Sequence, residues 1–262
     1  MANNSGLSKR AALRQQQELE ARAARNRKIM MIGAAVLGVV VLAVVAIAIT
    51  QSIGRTADVA AEQLTPPNAT ADSGIVDQSR GAEAGGDVPH LIIWQDYQCP
   101  ACAYREQDYG PAVVDLLDNG EITVEYRTAY FLDNNTPGDA SKRASMAAAA
   151  ADEMGLFREY HTALFANQGG GYPNQLLRDT IPQQIGMSGE DATRFQELYD
   201  SRAFNDFADA GNQAFNNSPW TGTPTYEVDG NRLEFADPQT QEVLIQPTPQ
   251  DVLRAINEAA GN

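Results

Sequence analysis

Residues 29–49 make a run of 21 residues without one charged side chain, most of them Val, Ala, Ile and Leu. A helix of that length matches the hydrocarbon core of a bilayer, so the run separates a short N-terminal segment from a long C-terminal one. Seven basic residues come before it (Lys9, Arg10, Arg14, Arg22, Arg25, Arg27, Lys28), and only Arg55 lies closely after it. The bias of positive charge toward the cytoplasmic side then puts the N-terminus in the cytoplasm and the rest outside. A cleaved signal peptide is the competing reading, but its apolar region is about 7–15 residues long behind a short leader, and both features are longer here. No cysteine lies near the end of the run, which excludes a lipoprotein anchor. The expectation is a basic cytoplasmic segment over residues 1–28 and a single-pass cell-membrane anchor over residues 29–50.

Residues 51–87 are rich in Ala, Asp, Gly, Thr, Ser and Pro and poor in large apolar side chains, so they read as a flexible linker. The remaining 88–262 are enough for a single domain with its own core. Against Glu18 and Glu20 the seven basic residues leave the first 28 at +5; with the whole chain at −15, residues 29–262 stand at −20. So acidic a domain is repelled by nucleic acid and by anionic lipid, and neither is expected as its partner.

Within the domain, residues 90–94 (HLIIW) suit a buried strand. Pro100 stands where a helix can begin, and Asn119-Gly120 is a stop. A second strand fits residues 122–127, and helical periodicity fills 140–154, 156–167, 174–185, 191–199 and 204–215. Strands return at 225–228 and 232–235 around Asp229-Gly230, a hairpin signal, and Thr248-Pro249-Gln250-Asp251 starts a last helix.

The only two cysteines stand together as Cys99-Pro100-Ala101-Cys102 at the first junction of strand and helix. Thiol exchange needs one exposed, acidic thiol and a second close enough to expel a mixed disulfide. Cys99 at a helix N-terminus gains stabilisation of its thiolate from unpaired N–H groups and the helix dipole, and Cys102, one turn on, is placed to resolve. Three other readings compete. A zinc site needs four ligands, and the chain adds only His90 and His161 to the two cysteines, so no metal is expected. A structural disulfide would close too short a loop to stabilise much. A cysteine hydrolase would need an activating histidine, whereas His161 reads as part of an ordinary helix face.

The Cys99–Cys102 pair on this junction, the helical block after it, and Thr221-Gly222-Thr223-Pro224-Thr225 entering a later strand resemble the DsbA-like branch of the thioredoxin superfamily over about residues 88–260. Asp96-Tyr97-Gln98 before Cys99 is similar to membrane-anchored Gram-positive members. The resemblance implies an α/β thioredoxin fold with a helical insertion at about 138–217, preceded by the transmembrane helix and the linker. It implies a cis Thr223–Pro224 bond facing the pair, with Thr223 offering its backbone to substrate; a trans proline opening an edge strand is the plainer alternative. It also implies exported proteins with cysteines as substrates, a quinone-linked membrane partner of DsbB-like or VKOR-like type, and no bound cofactor. Trp94 and Trp220 either flank the groove or belong to the core. Where the family often carries a buried acid for proton transfer, this chain has Ile93, leaving Asp96, Glu125 or water for that role. Ala101 replaces the histidine of the strongest oxidants. The favoured function is therefore a mild disulfide oxidase outside the cytoplasm. A membrane-fed reductase, as in cytochrome maturation, and a tethered peptide-binding adaptor without redox change are the alternatives.

Overall fold

The computed structural model describes residues 62–77, 88–136 and 138–261. All lie in the second of two compact units, Asp58–Asn262. The expected basic segment, the anchor and residues 51–61 and 78–87 of the expected linker fall outside the described residues. Among those described, no helix is long and apolar enough to cross a membrane.

In chain order the elements are β1 (Ile75–Val76), β2 (His90–Asp96), α1 (Pro100–Asp118), β3 (Thr123–Ala129), α2 (Ala140–Glu153), α3 (Phe157–Ala166), α4 (Ile181–Gln184), α5 (Gly189–Asp200), α6 (Asn205–Asn217), β4 (Thr225–Val228), β5 (Asn231–Arg232) and α7 (Pro249–Ala259). The sheet runs β1-β3-β2-β4-β5. β2 and β3 are parallel with Ile93 opposite Tyr126, and β4 runs antiparallel to β2 with Tyr226 opposite Ile93. This is the expected thioredoxin architecture, with α2 to α6 as the insertion.

Side-chain alternation in the strands separates two cores. Leu91 and Ile93 of β2, Val124 and Tyr126 of β3, and Tyr226 of β4 face the main core with α1, α2, α3 and α7. Trp94 and Ala129 face the other side and pack on Phe215 of α6. The unbroken run of buried alanines from Ala147 to Ala151 lets α2 sit deep among its neighbours. Gly211 lets α6 approach β3, because a Cβ there would stand 2.9 Å from the Thr128 carbonyl oxygen.

Several expectations change. Residues 62–77, read as linker, are part of the domain. β1 pairs with β3 as Ile75↔Tyr126 and Val76↔Glu125. Asn68 donates from its backbone and its side-chain amide to the Asp152 carboxylate, each at 2.9 Å. The Arg158 guanidinium meets Asp77 at 2.6 Å. Ordering comes from polar partners elsewhere in the chain and from a few scattered apolar residues, Ile75-Val76 and Leu64, so a search for runs of large apolar side chains passes over it. The expected helix at 174–185 is broken into a π-helical turn (Leu176–Thr180) and α4, because Pro182 offers no N–H to the Arg178 carbonyl. The last strand is only Asn231–Arg232, and beyond it Leu233 and Phe235 are buried in the core. Its hairpin has the expected turn: Asp229 and Gly230 have φ of 50° and 78°, both positive as a type I′ turn requires.

Candidate active site

β2 ends at Asp96, and after three intervening residues α1 begins with Pro100 in its first turn and Cys99 as the residue before it, in extended backbone. Pro100 has no N–H, but a first-turn N–H has no helical partner in any case, so the proline fixes the helix start without loss. The Cys99 N–H donates to the Asp96 carbonyl at 2.9 Å, and its own carbonyl accepts from the N–H groups of Cys102 and Ala103 at 3.1 and 3.2 Å. The helical insertion fixes this loop from the other side. Gln168 Nε2 donates to the carbonyls of Tyr97 and Cys99 at 2.7 and 2.9 Å, and the Tyr172 hydroxyl donates to the Tyr97 carbonyl at 2.9 Å.

The Thr223–Pro224 peptide bond is cis, the geometry expected of it. It carries the Thr223 carbonyl to 3.3 Å from Cys99 Sγ, which donates to it. Cys99, Cys102 and the Thr223-Pro224 loop, far apart in sequence, thus meet at one point. Both cysteines are free thiols, Cys99 at 8 % exposure and Cys102 at 3 %.

Their environments push the two thiols apart. A hydrogen bond from Cys102, with others from Thr223 and from the backbone N–H groups of Cys102 and Ala101, holds Cys99 down at about 6, against the opposing effect of burial. The Thr223 hydroxyl is buried with no other hydrogen-bond partner, so it can turn to the sulfur when Cys99 ionises. Burial first, and then the neighbouring Cys99, drives Cys102 far above an ordinary thiol. One thiol is ready to act as a thiolate at neutral pH; the other keeps its proton.

The remaining expectations divide. Glu125 stands on the sheet face opposite the pair, opposite Ile92, and is engaged by His90, Arg127 and Thr70. Burial acts against its charge, but hydrogen bonds from His90 and Arg127 prevail and hold it down at about 2, so it stays ionised and takes no part in proton transfer at the pair. Asp96 is wholly buried at the strand end, and burial raises it to about 6. Its carboxylate accepts from the Ser141 hydroxyl and from the N–H groups of Gln98 and Leu132, so it ties the loop to α2. Trp94 does not flank the pair. It lies on the second core against Phe215 and donates to Glu227 at 2.6 Å, with Arg127 over its ring, and Trp220 packs on the same cluster. Among the described residues no cluster of His, Cys, Asp and Glu can hold a metal.

Beside Cys99 a groove of about 440 Å³ is lined by Pro100, Ala101, Tyr104, Arg105, Phe235 and Val243. Tyr104 and Val243 are two of the three large apolar side chains exposed among the described residues, and Leu244 is the third. Apolar exposure gathered in this way fits contact with an extended or unfolded chain. Sequence reading missed Gln168 and Tyr172, because side chains that hold a loop through its carbonyls carry no periodic signal. It also missed that His161, on an ordinary helix, is buried under Tyr97 and Tyr126.

A thioredoxin family profile matches residues 81–246. No curated protein sequence matches the chain. Among solved structures, MdbA, a thiol-disulfide oxidoreductase from Corynebacterium diphtheriae, is similar at 23 % identity and a TM-score of 0.54, over 69 % of this chain and 93 % of that one. MdbA from Actinomyces oris, also a thiol-disulfide oxidoreductase, is similar at 19 % identity and a TM-score of 0.59, over 79 % and 98 %. Oxidised Mtb DsbA is similar at 22 % identity and 0.51, over 78 % and 92 %.

Proposed function

Because the chain belongs to the thioredoxin family, we propose that it is a thiol:disulfide oxidoreductase that donates the Cys99–Cys102 disulfide to exported proteins outside the cytoplasm, held to the cell membrane by residues 29–50. The observation that carries the reading is the pair itself: one thiol held at about 6 at a helix start, a second buried behind it, and the Thr223 carbonyl 3.3 Å from the first sulfur.

The chemistry balances as two exchanges. A substrate thiolate attacks Cys99 Sγ, forming a mixed disulfide as the Cys99–Cys102 bond breaks and Cys102 leaves. A second substrate thiolate then attacks its partner sulfur, and Cys99 leaves as a stabilised thiolate. Two electrons pass from substrate to protein, and the pair ends as a dithiol. The low thiol pKa makes Cys99 a good leaving group and stabilises the reduced protein, which drives the reaction toward substrate oxidation. A quinone-linked membrane protein then removes the two electrons. The Thr223 carbonyl and the neighbouring groove supply the backbone and apolar contacts for an extended substrate.

Trapping the protein from intact bacteria with an alkylating reagent tests the direction: a donor holds mostly disulfide, whereas a mostly dithiol population favours a reductase. Reduced, unfolded ribonuclease supplies the activity test, in which the oxidised chain restores disulfides and the C99S chain does not. Protease added to intact cells should clip N-terminal to Glu62 and release the domain, and domain that stays protected until cells are lysed overturns the location.

A further inference from the structure

Both tryptophans of the chain, Trp94 and Trp220, line one groove of about 470 Å³. It lies on the side of the sheet that carries the second core, and Asp72, Arg127, Asn217 and Glu227 supply its polar walls.

Glu227 on β4 is 7 % exposed. Its carboxylate accepts from Trp94 Nε1 at 2.6 Å, and it has no other hydrogen bond and no ion pair among the described residues. The nearby cations are turned elsewhere. Arg127, the one cation among the described residues of the groove wall, meets Glu125 at 2.6 Å and Asp72 at 3.0 Å. Arg232, opposite Glu227 in the β4–β5 pairing, is directed to Glu234 at 3.5 Å.

A single neutral N–H does not return what a carboxylate loses on leaving water, so buried carboxylates are as a rule paired with a cation. Among the described residues none is paired with Glu227, and the groove leaves the place beside it open to a positive charge from outside. Two indole rings line the same space, and aromatic faces attract a cation. The charge of −20 on residues 29–262 draws positive partners over longer distances.

The groove also has a place along the chain. Trp220 stands three residues before Thr223, whose carbonyl faces Cys99, and Glu227 stands four residues after it. Four residues of extended strand span about 13 Å, so a polypeptide held at Thr223 can bring a side chain a few positions from its cysteine to Glu227.

We propose that Glu227, Trp94 and Trp220 form a subsite for a basic side chain, lysine or arginine, on the polypeptide that the Cys99–Cys102 pair oxidises. The incoming cation supplies the counter-charge that the fold withholds from Glu227. The chain therefore selects, among exported thiol proteins, segments with a basic residue near the cysteine.

The proposal rests on the redox reading of the pair, and the assays separate the two. The oxidised full chain, in nonionic detergent, is given a reduced dithiol peptide with lysine four positions to either side of its cysteines, or the same peptide with glutamate there. Loss of peptide thiols gives kcat/KM. The lysine peptide is expected to be preferred, and E227Q should lower that preference at least roughly tenfold, mostly through KM, as loss of one partner from a buried charge pair does. Glutamine at this position still accepts from Trp94 and removes only the charge. E121Q, which removes the exposed Glu121 carboxylate between α1 and β3, should keep the preference. Equal losses in E227Q and E121Q assign it to overall charge and overturn the proposal. If the unmutated chain oxidises neither peptide, the redox reading fails, and a cysteine-free lysine peptide carries the test alone. Because both tryptophans are in the groove, that peptide should shift their fluorescence saturably. No shift, or an equal shift from choline at the same concentration, overturns the proposal. Stability tells a binding carboxylate from a structural one. E227Q should unfold at a urea concentration no lower than the unmutated chain does, since it removes an uncompensated buried charge. A clearly lower midpoint means that Glu227 is already paired within the fold, and overturns the proposal.

Discussion

Ionisation of Cys99 should make the stability gap between the two redox forms depend on pH. The thiol is held at about 6 in the folded dithiol, against about 8.5 for a free one. A depressed pKa adds stability that is fully present above the unfolded value and is lost as pH falls through the folded one. At pH 7 the folded thiol is about 90 % ionised and the unfolded one about 3 %, a linkage worth about 1.4 kcal/mol. At pH 5 the same linkage gives less than about 0.1 kcal/mol. The disulfide form lacks the term entirely, while groups common to both forms, Asp96 among them, cancel in the difference. Urea unfolding of the oxidised and reduced forms of residues 58–262 at pH 5 and pH 7 therefore measures it. With a urea slope of about 1–3 kcal/mol/M, the midpoint of the reduced form should gain roughly 0.5–1.4 M on that of the oxidised form between the two pH values. A gap that is the same at both, or that moves the other way, refutes the argument.

Other consequences arise from particular contacts. In the reduced protein Cys99 should be alkylated far faster than Cys102, with a rate midpoint near pH 6; equal rates would contradict the assignment of Cys99 as the nucleophile. Replacing Arg158 by Met removes the cation that meets the buried Asp77 carboxylate at 2.6 Å, and should cost about 3 kcal/mol in urea unfolding. Gly211→Ala puts a methyl group 2.9 Å from the Thr128 carbonyl. It should destabilise by about 1–3 kcal/mol, a fall in Tm of roughly 2–12 °C by calorimetry.

The sequence was readable where local chemistry and periodicity agree. The redox junction follows from an apolar strand, Pro100 and a cysteine pair in adjacent positions, and the β4–β5 hairpin from Asp229-Gly230. The cis bond could be expected only through the family resemblance that Thr223-Pro224 and the distant cysteines carry together. What was not readable depends on partners far apart in the chain. The segment 62–77 that contains β1 is held by Asp152, Arg158 and the edge of β3, none of which its own composition announces. The inward turn of His161 is set by Gln95, Tyr97 and Glu106, and a helix of ordinary periodicity does not show which of its polar residues will be covered. Glu125 failed as a proton carrier for a simpler reason: strand alternation put it on the other face of the sheet.

The central claim is that the environment of Cys99 makes the pair an oxidant, and the equilibrium of the Cys99–Cys102 couple with glutathione redox buffers tests it most directly. Stabilisation of the Cys99 thiolate, without the histidine between the cysteines, predicts a potential between about −120 mV, that of DsbA, and about −200 mV. A value near the roughly −270 mV of thioredoxin would contradict the account.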